Sequence, residues 1–173
     1  GGTDKLYAYP EIEMPSVSIP KKDGYYFLGY YIGDDQCYNA SGKFVLGEKF
    51  KIDCDMVEDK ALQAVWSVGS YNVEFNANGA YGEMDAIKNV EYDREFLAPD
   101  SKFVREGYHF AGWSLSKSGN DGIYRAGDKL KNLTSNDGKT VILYAQWEEN
   151  TYNIEYNLNG GTGKMPENVS VLY

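Results

Sequence analysis

The sequence predicts a β-rich protein, in the range from mainly β to α+β, built from tandem small modules. Blocks of sequence recur at a nearly fixed spacing, which is typical of repeat architectures. In one block, residues 71–76 and their copy at 152–157, apolar and polar residues alternate, which is the pattern of a strand with one buried face. Two segments, 85–95 and 127–133, leave room for a helical turn, but neither shows a sustained 3.6-residue periodicity.

The repeat consists of three blocks, each present twice. The pairs are YNVEFNANG at 71–79 with YNIEYNLNG at 152–160, LQAVW at 62–66 with LYAQW at 143–147, and GYYFLGY at 24–30 with GYHFAGW at 107–113. The first two pairs share an offset of 81 residues, and the third has an offset of 83. A small length change therefore separates the blocks, and such changes belong in loops.

These blocks predict how the chain divides. We expect a degenerate or partial first repeat at 1–67, a complete repeat at 68–150 and the start of a third repeat at 151–173. The first repeat lacks a recognisable copy of the opening strand. In an alternative phase the units are 1–92 and 93–173, and the sequence leaves that choice open.

The elements predicted for one unit are strands joined by turns. Residues 71–76 alternate in polarity and precede an Asn-Gly turn, so this strand should fold back as a hairpin toward 90–92. Residues 103–113 mix aromatics with glycines, which indicates a short strand with a bulge or a close backbone approach. Residues 140–147 are rich in β-branched and aromatic side chains and predict the closing strand.

The complete unit resembles a known family. The ordered motifs YNVEFNANG, FVREGYHFAGWS, YRAGDKLKNLT and VILYAQW, within 71–147, are similar to the Listeria-Bacteroides repeat, which occurs in tandem on bacterial surface proteins including the internalin group. The resemblance implies a small β-grasp-like module. It also implies an extracellular protein attached to the bacterial cell surface, in which the repeats act as stalk or adhesive elements.

Charge and hydropathy exclude several classes of partner. The chain of 173 residues has 17 Lys and Arg against 26 Asp and Glu, a formal net charge of −9. Because this charge repels phosphate backbones, we expect no nucleic-acid partner. The longest apolar stretch, near 141–145, is far shorter than the roughly 20 residues that span a bilayer, so we expect no membrane insertion. Since the chain begins with Gly1 and not Met, we expect a segment of a longer protein.

Residue types that carry catalysis or bind metals are sparse. His109 is the one histidine, and it falls in a strand block where the first repeat has Tyr26, which favours a surface strand role. Asp53, Asp55 and Asp59 suggest a calcium loop, but the glycine and terminal glutamate of the EF-hand spacing are absent.

Two further motifs also fail their templates. The glycine-rich run 160–164 lacks the first glycine and the Ser or Thr of a phosphate-binding loop, and a hairpin turn explains it. Cys37 and Cys54 provide too few soft ligands for zinc, and their spacing allows either a disulfide or two thiols. We therefore expect no enzymatic activity, no cofactor and no metal site.

Aromatic residues are frequent, with 16 Tyr, 7 Phe and 3 Trp. Most recur at repeat-equivalent positions, which indicates that they build the small core of each unit. The predicted repeat core comprises Tyr71, Val73, Phe75, Tyr108, Phe110, Leu143 and Trp147. A sharper interpretation leaves some aromatics exposed, to stack on sugars or to fill a protein hot spot. These candidate ligand contacts are Tyr30, Tyr31, Trp113 and Tyr144.

Two functional hypotheses follow. The first is a non-enzymatic stalk or spacer that lies among neighbouring repeats of the parent chain and adds weak multivalent contacts. The second is an adhesin that binds a host glycan or protein through exposed aromatics. In addition, residues 151–173 should expose a hairpin edge that pairs with another chain, giving an edge-strand dimer.

Overall fold

The secondary structure is entirely β in the part of the chain that the structure describes. The computed structural model describes residues 14–45 and 61–172. The strands there are β1 (Tyr25–Ile32), β2 (Asp35–Asn39), β3 (Gln63–Val68), β4 (Ser70–Asn76), β5 (Ile87–Glu91), β6 (Phe96–Leu97), β7 (Tyr108–Ser114), β8 (Lys129–Leu130), β9 (Thr140–Glu149), β10 (Thr151–Ile154) and β11 (Val169–Leu172). The β-rich prediction is confirmed, and the two segments with room for a helical turn contain strands instead.

The described residues divide into two compact units. The first contains residues 14–45, 61–69 and 135–137, and the second contains residues 70–134 and 138–172.

The first unit is built on an antiparallel sheet with strand order β2-β1-β3. Its buried side chains include Phe27, Cys37 and Tyr38. Phe27 meets Trp66 edge to face, with the ring centroids 5.6 Å apart, and meets Tyr30 in the same way at 4.9 Å. Tyr30 in turn meets Tyr38 of β2 edge to face, so aromatic edge contacts join β1 to both of its neighbours.

The second unit is built on a four-stranded sheet with strand order β5-β4-β9-β7. The two central strands, β4 and β9, run parallel, with Val73 opposite Val141 and Phe75 opposite Leu143. The outer strands are antiparallel to them. Because parallel neighbours cannot be joined by a tight turn, a long crossover is required, and here it contains β5 to β8. Strands β6 and β8 form a small ladder of their own, Phe96 with Leu130.

The core of the second unit lies on one face of this sheet. The alternation of β4 places Tyr71 and Val73 inward, and both are essentially inaccessible to solvent. The buried cluster comprises Tyr71, Val73, Val90, Ala98, Phe103, Trp113, Leu130, Leu143 and Ala145. The hairpin predicted between 71–76 and 90–92 is also present, as Tyr71 pairs with Val90.

A β-bulge interrupts the same strand pair in both units. In β7 and β9, Phe110 lies opposite Trp147, but the next paired residue is Gly112, opposite Gln146. The equivalent strands β1 and β3 show the same step, between Phe27 and Gly29. Gly112 and Gly29 have φ values of +147° and +150°, a region that side-chain-bearing residues rarely adopt. A β-carbon on Gly112 would lie 2.6 Å from the carbonyl oxygen of Tyr124.

The last two strands form an isolated hairpin. β10 and β11 are antiparallel, with Tyr152 opposite Val171, and all their residues are exposed. The large apolar side chains exposed between 151 and 172 are Tyr152, Ile154, Tyr156, Leu158, Met165, Val169, Val171 and Leu172. A two-stranded hairpin with an open apolar face is at best marginally stable in water.

Substitution of the bulge glycine should be costly. We expect Gly112→Ala to lower the free energy of unfolding by about 2–4 kcal/mol, because the new β-carbon collides with Tyr124 and the backbone conformation is strained. Gly122→Ala is the matched control, since Gly122 also has a positive φ but nothing lies within 4 Å of its β-carbon. Urea unfolding monitored by fluorescence measures both. Equal losses in the two variants would contradict the close-approach explanation.

The exposed hairpin generates a second prediction. Multi-angle light scattering should show a dimer that disappears when residues 151–173 are deleted. In the intact chain, Tyr152→Lys with Val171→Lys should also abolish the dimer, because these residues form a cross-strand pair on the apolar face. Asn153→Lys with Ser170→Lys adds the same charge to the next pair, on the opposite face, and should leave the dimer intact. A chain that is monomeric at every concentration would rule out this dimer and favour the alternative repeat phase.

Candidate functional site

Trp113 lies at the centre of the second unit's core. Its side chain has no solvent exposure. The indole packs against Phe75 and Phe110, with centroid distances of 4.8 and 4.9 Å, and its Nε1 donates a hydrogen bond of 2.7 Å to the carbonyl oxygen of Pro99. The prediction that Trp113 is an exposed ligand contact was therefore wrong.

The bulge explains this correction. Simple strand alternation would put Phe110 and Trp113, three positions apart, on opposite faces of β7. The extra residue at Ala111 shifts the alternation, so both rings face the core. Trp113 is also fixed through its backbone, because it exchanges two hydrogen bonds of 2.7 Å with Tyr124.

The other three candidate ligand contacts are half-buried. The Tyr30 ring packs edge to face on Phe27 and, with a centroid distance of 6.4 Å, on Tyr38. The ring of Tyr144 has the ammonium group of Lys117 at 5.8 Å from its centroid. Tyr31 and Tyr144 keep part of their rings open to solvent, and their role as ligand contacts stays a prediction.

Six of the seven predicted core residues lie in the core. Tyr71, Val73 and Leu143 are buried, and Phe75, Phe110 and Trp147 are half-buried against the same cluster. Tyr108 is different and corrects the prediction. Its ring carries the Arg105 guanidinium at 3.8 Å, and its hydroxyl donates a hydrogen bond of 3.1 Å to Glu149. Tyr108 thus packs among charged side chains at the surface and not in the core.

His109 forms a polar cluster on the outer face of the sheet. Its Nε2 lies 3.4 Å from a carboxylate oxygen of Glu148, and its Nδ1 lies 3.1 Å from the side-chain oxygen of Asn150. The side chains of His109 and Glu148 border a shallow cavity of about 360 Å³ that Asp100 and Arg125 also line. Since more than half of the His109 side chain is exposed, its interaction with Glu148 contributes little to stability.

Most residues named in the metal and cysteine hypotheses lie outside the described part of the chain. These residues are Asp53, Cys54, Asp55 and Asp59. In the described part of the chain, no group of three or more His, Cys, Asp or Glu side chains could hold a metal ion. Cys37 is buried, and this burial raises the pKa of its thiol, which makes the thiolate harder to form.

A larger cavity, of about 580 Å³, opens beside the end of β4. Its lining residues are Phe75, Asn76, Ala77, Gly82, Glu83, Met84, Asp85 and Phe103. The sequence gives no direct signal for it, because the cavity arises where the pairing of β4 with β5 stops.

A known protein family matches part of the chain. Residues 71–146 match the Listeria-Bacteroides repeat domain, a span that runs from β4 into β9. This segment belongs to the Listeria-Bacteroides repeat family. The resemblance seen in the sequence motifs is thereby confirmed.

Two longer proteins of Evansella cellulosilytica are similar to the chain. One, named "Putative Gly-rich membrane protein", is 31% identical over 150 residues, which cover 82% of this chain and 16% of that protein. The other, named "Putative membrane protein", is 30% identical over 152 residues, which cover 87% of this chain and 20% of that protein. The chain therefore spans a fifth or less of the length of these relatives. No solved structure gives a significant match.

The described residues include no helix that is long and apolar enough to cross a bilayer.

The burial of Trp113 is open to a direct test. We expect Trp113→Phe to lower the free energy of unfolding by about 2–4 kcal/mol, because it leaves a cavity and removes the donor to Pro99. Tyr144→Phe, at a half-buried position, should change it by less than about 0.5 kcal/mol. Chemical denaturation followed by circular dichroism measures both values. An unchanged stability of the Trp113 variant would show that its ring is not part of the core.

Proposed function

We propose that the chain is a non-enzymatic spacer segment of a bacterial cell-surface protein. Its repeats follow one another and set the distance between flanking parts of the parent chain. The family assignment of residues 71–146 and the names of the longer relatives support a repeat-containing protein of the cell envelope. Placement on the extracellular face is part of this proposal.

One observation carries the proposal: both units have the same bulged strand pair. The two units also share a backbone hydrogen bond beside the bulged pair. In each unit, the residue that follows the second strand of the pair donates its N–H to the carbonyl oxygen of the glycine that precedes the first strand. Gly69 donates to Gly24, and Asn150 donates to Gly107, each at 2.8 Å. A module that keeps this strand pair and hydrogen bond while its surface residues change can be repeated in series along a chain.

The connections between strands also support a spacer. A single residue, Gly69, separates β3 from β4 in the sequence, and a single residue, Asn150, separates β9 from β10. Consecutive repeats therefore follow without a flexible linker segment between their strands. Weak contacts made by each repeat would add up along the array, since linked sites bind at high effective concentration.

The adhesin hypothesis is the second candidate. Burial of Trp113 removes the largest of its four proposed contacts, whereas Tyr31 and Tyr144 keep partly open rings. Binding to a host glycan or protein through these residues would make the repeats recognition elements as well as spacers.

The spacer proposal predicts additive length. Variants with one and two extra copies of residues 70–150 should show equal increments in maximum dimension by small-angle X-ray scattering. Insertions of the same length made of Gly and Ser are the control, because the size of a flexible chain grows only with about the square root of its length. A maximum dimension that stays constant as copies are added would contradict a spacer. Saturable binding to mucin or matrix proteins that Tyr144→Ala abolishes would favour the adhesin.

A further inference from the structure

A groove opens in the second unit where the ladder between β4 and β5 ends. The last paired residues of that ladder are Val73 and Ile87, whereas β4 continues to Asn76 and stays paired with β9. Residues 82–85 are not paired with β4, and the neighbouring residue Tyr81 bridges to Val104 instead. The space between the end of β4 and residues 82–85 is the 580 Å³ cavity described above, which we call the Phe75 groove.

The apolar lining of the Phe75 groove is continuous with the core. Phe103 is 7% exposed, and Phe75 packs against the buried ring of Trp113. The sulfur of Met84 accepts a hydrogen bond of 3.4 Å from the backbone N–H of Lys102, which holds this segment beside Phe103. Because its walls are tied to the core in this way, the groove is largely formed before any ligand binds.

Both charged residues that line the groove are acidic. Glu83 and Asp85 are exposed, and neither makes a hydrogen bond or an ion pair with another described residue. Two carboxylates beside the side chains of Phe75 and Met84 complement a lysine or arginine side chain. These side chains have an apolar stem and a cationic head, and both parts would then be satisfied.

An exposed apolar pair lies next to the groove. Tyr81 is 82% exposed and Val104 is 68% exposed, although each is adjacent in sequence to a residue of the groove lining. The two residues exchange backbone hydrogen bonds of 2.9 and 2.8 Å, so their side chains lie on the same face of the bridge. Neighbouring large apolar side chains that remain this open are typical of contact surfaces.

Comparison with the next repeat shows which parts of the groove the module retains. At the offset of 81 residues, Met165 corresponds to Met84, but Lys164 corresponds to Glu83 and Thr162 to Tyr81. The methionine is thus retained, whereas the charge at position 83 and the aromatic ring at position 81 change.

We propose that the Phe75 groove binds a basic peptide segment. A lysine or arginine stem lies along Phe75 and Met84, its cationic head meets Glu83 and Asp85, and residues on either side contact Tyr81 and Val104. This activity goes beyond the spacer role, because a spacer needs no ligand, and its failure would leave the scattering prediction unaffected.

Titration of the full chain with a short synthetic peptide of alternating lysine and threonine tests the proposal. Isothermal calorimetry should show saturable binding, and amide resonances of residues 75–85 should shift. Glu83→Gln with Asp85→Asn should weaken the affinity about fivefold to tenfold. Tyr81→Thr, which installs the residue of the next repeat, should weaken it as well while leaving the unfolding midpoint unchanged.

A charge-matched variant separates the groove from the general acidity of the chain. Glu74→Gln with Asp121→Asn removes the same two charges at exposed positions outside the groove and should leave the affinity unchanged. Equal weakening in the two double variants would overturn the proposal, as would the absence of saturable binding. Shifts at residues 75–85 caused by a neutral oligosaccharide but not by the peptide would also overturn it, in favour of a sugar site. Shifts that depend on protein concentration alone would overturn it in favour of a second copy of the chain.

Discussion

The close approach of Gly112 to the Tyr124 carbonyl controls how the rest of the repeat packs. Only a residue without a β-carbon can take this backbone conformation with an oxygen so near. The approach lets Trp113 and Tyr124 exchange two short backbone hydrogen bonds, which fix the strand against the following segment. Since the bulge also reverses the alternation of β7, it places both Phe110 and Trp113 on the core face.

The aromatic core follows from that placement. The Trp113 ring contacts Phe75 from β4 and Phe103 from the segment before β7, so it joins β7 both to a distant strand and to the preceding segment. Small modules bury a low fraction of their surface, and large rigid side chains compensate by burying much area each. The first unit uses the same approach at Gly29, where the neighbouring carbonyl belongs to Tyr38.

Sequence patterns predicted the features that depend on local alternation. The hairpin after residues 71–76 and the closing strand near 140–147 follow from polarity and turn residues alone. The glycines predict the bulge, but the sequence pattern does not give its effect on side-chain direction, and Trp113 is buried where the sharper interpretation of the aromatics left it exposed. The prediction for Tyr108 was wrong because a residue that recurs between repeats can be kept by a surface contact as well as by a core contact. The Phe75 groove depends on where pairing ends, and no local pattern encodes that point.

Two copies of one motif in different surroundings show that polarity alternation alone does not determine burial. Tyr71 is 1% exposed in β4, whereas its copy Tyr152 in β10 is 48% exposed, although the polarity pattern of the two strands is the same. The difference is the core around β4: Tyr71 packs in a cluster with Val90, Leu130 and Leu143, and β4 is paired with β9 along one edge. Because β9 begins about 64 residues after β4 ends, the pairing of these two strands joins parts of the second unit that are distant in sequence. The core of the second unit is thus completed by contacts distant in sequence, and we expect this unit to fold and unfold cooperatively.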